Sequence, residues 1–349
     1  MMTKRIALIV ATFFVGFLAS GWYFAGLHRA STPSDWQLVY NTLIIKDDHG
    51  RQVWRKTFDK DLNASRYERD PAPGITQLIF NDLDEDGSTE TLFVQQNASR
   101  YGESNVLICF SQSGQEKWRF TPGRPIRTGT LTFEPIFNTR TFAVGSLGRN
   151  RPKVIVVVSN QYLRFPVQVA LLSAEGKLLR DYWHSGMIGH PPALQIADLD
   201  DDGRNEIYLG GVNQARQQGT LVVLDPDQME GASEELDPKY QLLDFRPGRE
   251  VARVFFPRTC VNQKFERYGW VSQVSTRNGK LVVEQRESFP AEMRTTQWRL
   301  SPKLAIEHFG YSERFLSFHA RLVAEKQLDH SLAPQEAAAM RTVEVLRND

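Results

Sequence analysis

The sequence predicts an all-β protein in which apolar strands alternate with tight polar turns. Five strand–turn–strand hairpins recur along the 349-residue chain, with turns at Gly50, Gly114, Gly176, Asp225–Asp227 and Gly279. The first two intervals between turn glycines are 64 and 62 residues, and the interval from Gly176 to Gly279 is 103, or two shorter periods. A period of about 50–60 residues with several strands suits a β-propeller blade. We therefore expect a β-propeller of about five blades, with six or seven also compatible because the first and last blades are poorly delimited.

Two acidic loops lie between these hairpins and share one spacing of oxygen ligands. Acids occupy loop positions 1, 3, 5 and 9, glycine occupies position 6, and position 7 would donate a backbone carbonyl. Ca²⁺ prefers about six to eight oxygen ligands, and the glycine permits the sharp turn that brings position 9 back to the ion. The predicted ligands are Asp82, Asp84, Asp86, Ser88 and Glu90 in the first acidic loop, and Asp198, Asp200, Asp202, Arg204 and Glu206 in the second acidic loop.

Neither loop is an EF-hand, because position 12 is Phe93 or Leu209 and not glutamate. A strand-like alternation follows position 9 in both loops, over Thr91–Val94 and Ile207–Leu209. We expect two structural Ca²⁺ ions, which would relieve the repulsion among the carboxylates and set the register of the strand that follows. The alternative is that both loops are acidic surface turns whose Asp and Gly residues serve turn geometry only.

The Asp-x-Asp-x-Asp-Gly-x-x-Glu pattern with its following strand resembles the FG-GAP or VCBS repeat. This repeat occurs in the integrin α-subunit β-propeller and in many bacterial surface proteins. The resemblance covers most of the chain after about the first thirty residues, and it implies a β-propeller fold with bound calcium. The Phe-Gly and Gly-Ala-Pro signatures of the family are absent, although Gly210 and Gly211 lie where a glycine is expected. The resemblance therefore implies little about a partner.

A third loop has kept the strand but lost the acids. Aligned 52 residues before the second acidic loop, it places Ser146, Gly148, Asn150 and Val154 at the four acid positions. We expect this degraded loop to bind no metal. Because the turn tolerates the loss of its aspartates here, the acids of the other two loops are predicted to do more than form a turn.

The N-terminal residues predict a membrane anchor. Lys4 and Arg5 precede an uncharged run from Ile6 to Leu27, which is about the length that crosses a bilayer, with Trp22 and Tyr23 near its outer end. The positive flank favours a cytoplasmic N-terminus and a main domain in the periplasm or outside the cell, where Ca²⁺ is abundant. The alternative is a signal peptide that is cleaved near residues 19–21.

The chain divides into an anchor over residues 1–29, a propeller over residues 30–310 and a tail over residues 311–349. Two further strands, Thr296–Leu300 and Leu304–His308, are predicted near the end of the propeller. They would complete the last blade, or pair with the first blade and close the ring so that no sheet edge is exposed.

The tail is predicted to form short helices. Phe315, Phe318 and Leu322 would share one helical face, and Pro334 suits the first position of a final helix. These helices either cap the propeller or bind a partner.

Composition excludes some classes of function. The 42 Lys and Arg residues against 41 Asp and Glu residues give a net charge of +1, which provides no electrostatic case for nucleic-acid binding. Cys109 and Cys260 do not form a disulfide framework; they could pair with each other or be buried thiols.

Catalytic motifs are absent from the sequence. It contains no Walker A loop, no His-Glu-x-x-His, no Gly-x-Ser-x-Gly and no dinucleotide fingerprint. His184 and His190 could line a central channel as a catalytic pair, or be packing or turn residues. Trp54, Trp118 and Trp183 each follow a hairpin turn by a few residues, which predicts that they lie in blade cores.

We therefore expect a calcium-stabilised β-propeller that acts as a binding or scaffold module at the cell surface. Its ligand would be a protein or a glycan held on one propeller face. The alternatives are a propeller-fold enzyme, a lyase or hydrolase, with its site in the central channel, and a sensor or assembly subunit of a membrane complex. A convergent group of His, Glu, Arg or Tyr side chains would favour the enzyme.

Overall fold

Antiparallel β-sheets make up most of the structure, which confirms the predicted all-β class. The computed structural model describes residues 31–67, 75–98, 102–162, 165–186, 193–235, 237–287, 295–329 and 334–347. These residues form five sheets of three to five strands and one two-stranded ribbon. Within each sheet, strands that follow one another along the chain pair with each other, as they do in propeller blades.

The first two sheets and the ribbon are each built from short strands that are consecutive in the chain. Sheet 1 contains β1 (Asp35–Val39), β2 (Thr42–Lys46) and β3 (Gln52–Thr57). Sheet 2 contains β4 (Leu78–Asn81), β5 (Glu90–Gln95), β6 (Val106–Phe110) and β7 (Glu116–Phe120). The ribbon contains β8 (Ile126–Arg127) and β9 (Thr132–Phe133).

The chain after the ribbon forms three larger sheets. Sheet 3 contains β10 (Phe137–Ser146), β11 (Lys153–Gln161), β12 (Val167–Ser173) and β13 (Leu178–His184). Sheet 4 contains β14 (Ala193–Ala197), β15 (Glu206–Asn213), β16 (Gln218–Leu224) and β17 (Ala252–Phe255). Sheet 5 contains β18 (Trp270–Arg277), β19 (Lys280–Arg286), β20 (Thr295–Leu300) and β21 (Ile306–Tyr311).

Three α-helices and a last strand complete the described residues. The helices are α1 (Cys260–Lys264), α2 (Glu313–Ala324) and α3 (Pro334–Ala339), and a single 3₁₀ turn covers Ala64–Arg66. The last strand, β22 (Glu344–Arg347), pairs with β17 at the outer edge of sheet 4.

Hydrophobic clusters join the sheets in chain order. One cluster joins Leu43 and Ile45 of sheet 1 to Phe93 of sheet 2, and the next joins sheet 2 to sheet 3. Two more join sheet 3 to sheet 4 and sheet 4 to sheet 5. The middle strands of sheets 2, 3 and 4 are buried on both faces, and this explains the nearly continuous apolar run from Val154 to Val158 in β11.

Turn glycines make close contacts between consecutive sheets. The hairpins β2–β3, β6–β7 and β12–β13 turn at Gly50, Gly114 and Gly176, all with positive φ, as the sequence predicts. A Cβ added at Gly114 would lie 2.7 Å from the ring of Trp54 in sheet 1. One added at Gly176 would lie 2.4 Å from the ring of Trp118 in sheet 2. The two glycines therefore let the tryptophan of each sheet pack against the turn of the next sheet.

The predicted repeat is wrong at two of its five hairpins. No strand directly follows Asp227, because residues 225–251 form a long insert before β17 begins. Gly279 turns between the first and second strands of sheet 5, whereas Gly50, Gly114 and Gly176 precede the last strand of their sheets. The interval of 103 residues therefore compares turns at different places in a blade. The hydrophobic pattern alone does not distinguish one antiparallel hairpin of a sheet from another.

Near the C-terminus, the predicted strands complete sheet 5, and β21 starts two residues later than expected. Leu304 adopts a positive φ of 59° inside the turn after β20, so the strand begins at Ile306. The predicted helices also form, with Phe315 and Leu322 of α2 buried against Val261 of α1. Trp298 donates a 2.8 Å hydrogen bond to the carbonyl of Met340, which ties the tail to sheet 5. The strand β22 was not predicted.

The predicted anchor, Ile6–Leu27, lies outside the residues that the structure describes. Among the helices within the described part of the chain, none combines the length and the apolarity that a membrane crossing requires. Cys109 and Cys260, which could have paired, are both free, with Cys109 buried in sheet 2.

Two glycine substitutions test the contact between sheets. Gly50 and Gly176 occupy the same turn position with φ of 74° and 75°, but a Cβ at Gly50 would meet nothing within 4 Å. We expect Gly50→Ala to lower the free energy of unfolding by about 1–2 kcal/mol through backbone strain alone. Gly176→Ala adds overpacking against Trp118, which costs roughly a further 1–3 kcal/mol. Denaturant titration of both variants measures the difference, and equal losses would contradict the contact.

Candidate functional sites: two acidic loops and an ionic groove

The first acidic loop connects β4 to β5 and is folded around the Asp82 carboxylate. Asp82 accepts hydrogen bonds from the backbone N–H groups of Asp86 (3.1 Å) and Gly87 (3.0 Å). Gly87 has a φ of 87°, which the sharp turn at position 6 requires. One carboxylate oxygen from each of Asp82, Asp84 and Asp86 lies within 4.8 Å of the others. The loop therefore brings together three of its predicted ligand side chains.

The second acidic loop repeats this geometry between β14 and β15. Asp198 accepts hydrogen bonds from the N–H groups of Asp202 (3.2 Å) and Gly203 (2.8 Å), and Gly203 has a φ of 86°. Asp198, Asp200 and Asp202 again place one oxygen each within 4.8 Å of one another. The side chain of Arg204 points away from this group and contacts Asp225 and Asp227 at 3.1 and 3.4 Å.

The loops of neighbouring sheets are linked by a repeated hydrogen bond. Lys153, at loop position 8 of the degraded loop, donates a 2.6 Å hydrogen bond to the carbonyl of Asp82, at position 1 of the first acidic loop. Asn205, at position 8 of the second acidic loop, donates a 2.7 Å hydrogen bond to the carbonyl of Ser146, at position 1 of the degraded loop. The three loops therefore lie side by side along one end of sheets 2, 3 and 4.

The two acidic loops differ in how their charges are neutralised. In the first acidic loop, Lys117 of β7 contacts Asp84 and Glu90, each at 3.0 Å. Although burial opposes the charged amine, these hydrogen bonds raise the pKa of Lys117 and lower the pKa of Asp84. Glu90 is only 1% exposed, and its second oxygen accepts a hydrogen bond from the Leu83 N–H group at 3.0 Å.

The second acidic loop has no equivalent of Lys117. The strand register places Val251, the last residue of the insert before β17, where Lys117 lies in sheet 2. Glu206 is instead contacted by the Tyr208 hydroxyl at 3.2 Å. Burial, together with the charges of Asp200 and Asp202, raises the pKa of Glu206 to about 7. No described lysine or arginine forms an ion pair with Asp200 or Glu206, since Arg204 contacts Asp225 and Asp227. A bound cation would offset the negative charges of these two carboxylates.

A separate groove lies between the insert at residues 225–251 and the outer strands of sheet 4. It has a volume of about 1440 Å³. The insert is held in place by Ala232 and Leu242, which pack with Trp183 and with Phe133 of the ribbon. Most of the groove's polar lining comes from this insert and from β17. The groove therefore lies beside β17, which is the fourth strand of sheet 4 counted from β14.

A buried ionic network forms one wall of the groove. Arg253, which is 8% exposed, donates to both oxygens of Glu250, with 2.8 Å from Nε to Oε2. Its Nη1 lies 3.6 Å from Glu235, which also accepts a 2.8 Å hydrogen bond from Asn213. The Tyr182 hydroxyl, fully buried, donates to Glu250. Buried charges carry a large desolvation cost, so paired carboxylates beside a groove are candidates for function.

His184 lies behind this network and is fully buried. Burial and the charge of Arg253 lower its pKa, so the imidazole is neutral at pH 7. Its Nδ1 accepts a 3.0 Å hydrogen bond from the Gly186 N–H group, whereas Nε2 has no hydrogen-bond partner among the described residues. His190, its predicted catalytic partner, lies outside the described residues.

The groove was not predicted from the sequence, because residues 225–227 were expected to form an ordinary turn. A usable signal was present. Between Leu224 and Ala252 the chain has no strand-like run, and it is rich in charged residues such as Glu230, Glu235 and Glu250. Only the pairing of β16 with β17 shows that this stretch is an insertion within a sheet.

Comparisons with known proteins leave the family open. No family model matches the chain, and no curated protein matches it. Similar solved structures include a protein of unknown function from Bacteroides caccae, with 11% identity and a TM-score of 0.28 over 82% of this chain and 93% of that one. They also include a GH43 β-1,3-galactosidase with galactodeoxynojirimycin, at 7% identity and a TM-score of 0.34 over 79% and 87% of the two chains. A third is an exo-β-1,3-galactanase from Phanerochaete chrysosporium with galactose. It has 8% identity and a TM-score of 0.32 over 78% of this chain and 64% of that one. Likenesses this weak carry no functional argument.

The contrast between the loops predicts opposite effects of pH on two matched variants. A carboxyl group whose pKa is raised from 4.5 to about 7 by folding destabilises the native state as the pH rises through that window. In the presence of a chelator, Glu206→Gln should therefore increase the free energy of unfolding at pH 8, and the gain should disappear near pH 4. Glu90→Gln, which removes a partner of Lys117, should decrease stability at pH 8. Urea titration at both pH values measures the free energy of unfolding of each variant. A decrease in stability at pH 8 for both variants would contradict the difference between the two loops.

Proposed function

We propose that the protein is a hydrolase or lyase that acts on a polar ligand, such as a segment of a glycan, in the groove beside sheet 4. The observation that carries this proposal is the convergence of Glu235 and Glu250 on Arg253, with Tyr182 and His184 directly behind. Concave sites with convergent polar groups are the usual places for ligand binding and catalysis. This proposal replaces a site in the central channel with one at the outer side of a sheet.

The two carboxylates have the chemical capacity for acid–base work. Glycoside hydrolysis uses a pair of Asp or Glu residues, one to protonate the leaving group and one to activate water or attack the sugar. In the groove, Glu235 has one hydrogen bond from Asn213 and a longer contact to Arg253, so it is the less constrained of the two acids. Arg253 would hold the pair and orient them, and we assign it a positioning role.

The second candidate function is ligand binding without turnover. A specific observation favours it: both oxygens of Glu250 already accept hydrogen bonds from Arg253 or Tyr182. A carboxylate engaged in this way serves as a fixed acceptor or a structural support more readily than as a proton donor. In this case the groove would hold a protein or glycan ligand and the protein would act as a binding or scaffold module.

Calcium is proposed as a structural ion of the acidic loops, with unequal affinity for the two. The ligands are Asp82, Asp84, Asp86, Glu90 and the Ser88 carbonyl in the first acidic loop. In the second they are Asp198, Asp200, Asp202, Glu206 and the Arg204 carbonyl. Lys117 already neutralises Asp84 and Glu90, so an ion must compete with its ammonium group there. The second acidic loop offers its acids without that competition, and it is proposed as the tighter site.

The architecture and location are part of the same proposal. Five consecutive antiparallel sheets joined face to face in chain order support a β-propeller arrangement. The FG-GAP or VCBS resemblance, the membrane anchor at Ile6–Leu27 and an extracytoplasmic main domain are proposed from the sequence. An oxygen-rich calcium site of modest affinity is best filled outside the cytoplasm. A sensor or assembly role in a membrane complex is the remaining alternative.

Glutamine substitutions distinguish catalysis from binding in the groove. The parent protein is screened against aryl glycosides, oligosaccharides and esters, and binding is followed by calorimetry. If the groove is catalytic, Glu235→Gln should reduce kcat by about 100-fold or more, because it removes an acid–base group. Glu230→Gln, at an exposed ion pair of the insert with Arg249, is the control and should keep full activity.

A further variant, Glu250→Gln, weakens the main ion pair of Arg253 and is expected to destabilise the protein by about 3–5 kcal/mol. The folding of every variant is therefore checked by circular dichroism before its activity is compared. Saturable binding that Glu235→Gln weakens, with no turnover of any substrate by the parent, would support the binding module. Turnover that survives Glu235→Gln would contradict the proposed catalytic site.

Calorimetry tests the calcium proposal. We expect two Ca²⁺-binding events on the parent protein, with the second acidic loop as the tighter site. Asp200→Ala, in that loop, should remove the tighter event. Lys117→Gln should tighten the weaker one by roughly tenfold or more, because the competing ammonium is gone. Asn150→Ala in the degraded loop should change neither event. Absence of binding at millimolar Ca²⁺, or an unchanged titration for Asp200→Ala, would contradict the proposal.

A further inference from the structure

Another group of metal-ligating side chains lies at the junction of the three helices, far along the chain from both acidic loops. Cys260 in α1, His319 in α2 and Glu336 in α3 each offer one ligand atom, and these atoms all lie within 4.8 Å of one another. His319 is 3% exposed, and the other two side chains are half-buried. A thiol, an imidazole and a carboxylate from three separate elements therefore meet in the protein interior.

Two hydrogen bonds hold the Glu336 carboxylate in place. The Tyr311 hydroxyl donates a 3.2 Å hydrogen bond to Oε1 of Glu336, and the Cys260 N–H group donates to the same oxygen at 3.3 Å. Ligands of metal sites are commonly oriented by hydrogen bonds of this kind. The stacking of Tyr311 on Phe315, with ring centroids 4.7 Å apart, fixes the tyrosine in turn.

A fourth candidate ligand lies next to the cluster. Glu287 follows β19 and is 1% exposed. Its Oε2 accepts hydrogen bonds from Thr259 at 3.2 Å and from Asn262. Its Oε1 is buried with no donor within 3.5 Å among the described residues. Burial raises the pKa of this carboxyl group, although the Gln285 side chain lies near enough to oppose that rise. No lysine or arginine of the described chain forms an ion pair with Glu287. A buried carboxylate oxygen of this kind is costly unless a cation or a donor meets it.

We propose that Cys260, His319 and Glu336 form a binding site for one Zn²⁺ ion, with Glu287 or a water molecule as the fourth ligand. Zinc combines thiolate, imidazole and carboxylate ligands in tetrahedral sites, whereas Ca²⁺ and Mg²⁺ select oxygen alone. Tetrahedral bonds of about 2.0–2.3 Å place ligand atoms roughly 3.3–3.8 Å apart. The ligand atoms are observed within 4.8 Å of one another, so small side-chain rotations would bring them to this spacing.

The role of this site is structural. The ion would bind α1, which follows sheet 4, to α2 and α3 of the tail, and it would bury the junction between them. Because few of these contacts exist in the unfolded chain, metal binding adds to the free energy of folding. This inference does not depend on the groove or on the acidic loops, which have different ligands.

Metal content and a cobalt spectrum test the proposal on the full chain. The protein is kept in excess Ca²⁺ so that the acidic loops are filled, then loaded with Zn²⁺ or Co²⁺. We expect one Zn²⁺ per chain and, with Co²⁺, the near-ultraviolet charge-transfer band that a thiolate ligand produces. Cys260→Ser should lose this band and most of the bound metal. Cys109→Ser, in the buried core of sheet 2, is the matched control and should keep both.

A measurement on the unmodified chain guards against a variant that fails to fold. Zn²⁺ should slow the alkylation of Cys260 by iodoacetamide at least tenfold, and a chelator should restore the rate. Failure of the parent to bind Zn²⁺ in excess Ca²⁺, or equal metal content and an unchanged cobalt band in a folded Cys260→Ser variant, would overturn the proposal. Alkylation that is equally fast with and without Zn²⁺ would overturn it as well.

Discussion

Packing of each sheet onto the next is the constraint on which the rest of this structure depends. A small four-stranded sheet is exposed on both faces, so it can bury its apolar side chains only against a neighbour. Two repeated contacts set the spacing between sheets. The turn glycine of one sheet lies against a tryptophan of the preceding one, and the position-8 side chain of one loop binds the position-1 carbonyl of the preceding loop. A change in either contact would shift both neighbouring sheets.

Charge is distributed over this scaffold in a way that the repeat does not dictate. The two acidic loops have the same fold, yet Lys117 lies against the acids of one while the other has Val251 at the equivalent strand position. The hydrogen bond from Lys117 lowers the pKa of Asp84, whereas burial, together with the charges of Asp200 and Asp202, raises the pKa of Glu206. Similar backbones therefore produce a neutralised turn in sheet 2 and an unneutralised acidic site in sheet 4.

Two groups of charged or metal-ligating side chains lie where the repeat is interrupted. The insert at residues 225–251 surrounds the network of Arg253, Glu250 and Glu235, and the helices of the tail bring together Cys260, His319 and Glu336. A strand that is buried on both faces has little room for charged groups, because side chains on either face meet an apolar neighbour. Irregular segments satisfy their polar groups individually, so they can place several charges around one point. Both candidate sites outside the loops owe their existence to segments that break the blade pattern.

The sequence by itself determined the all-β class, the strands that follow each loop and the glycine turns, because these depend on local patterns of apolar residues and φ angles. It also determined the aspartate spacing of Asp82 to Asp86 and of Asp198 to Asp202, since a loop of this length folds back on itself. Only the tertiary structure decided that residues 225–251 interrupt sheet 4, that Lys117 reaches Glu90, and that Cys260 meets His319 and Glu336. These relations join residues that are tens of positions apart. Their distances are fixed by sheet register and by packing between elements, and no local pattern in the chain encodes them.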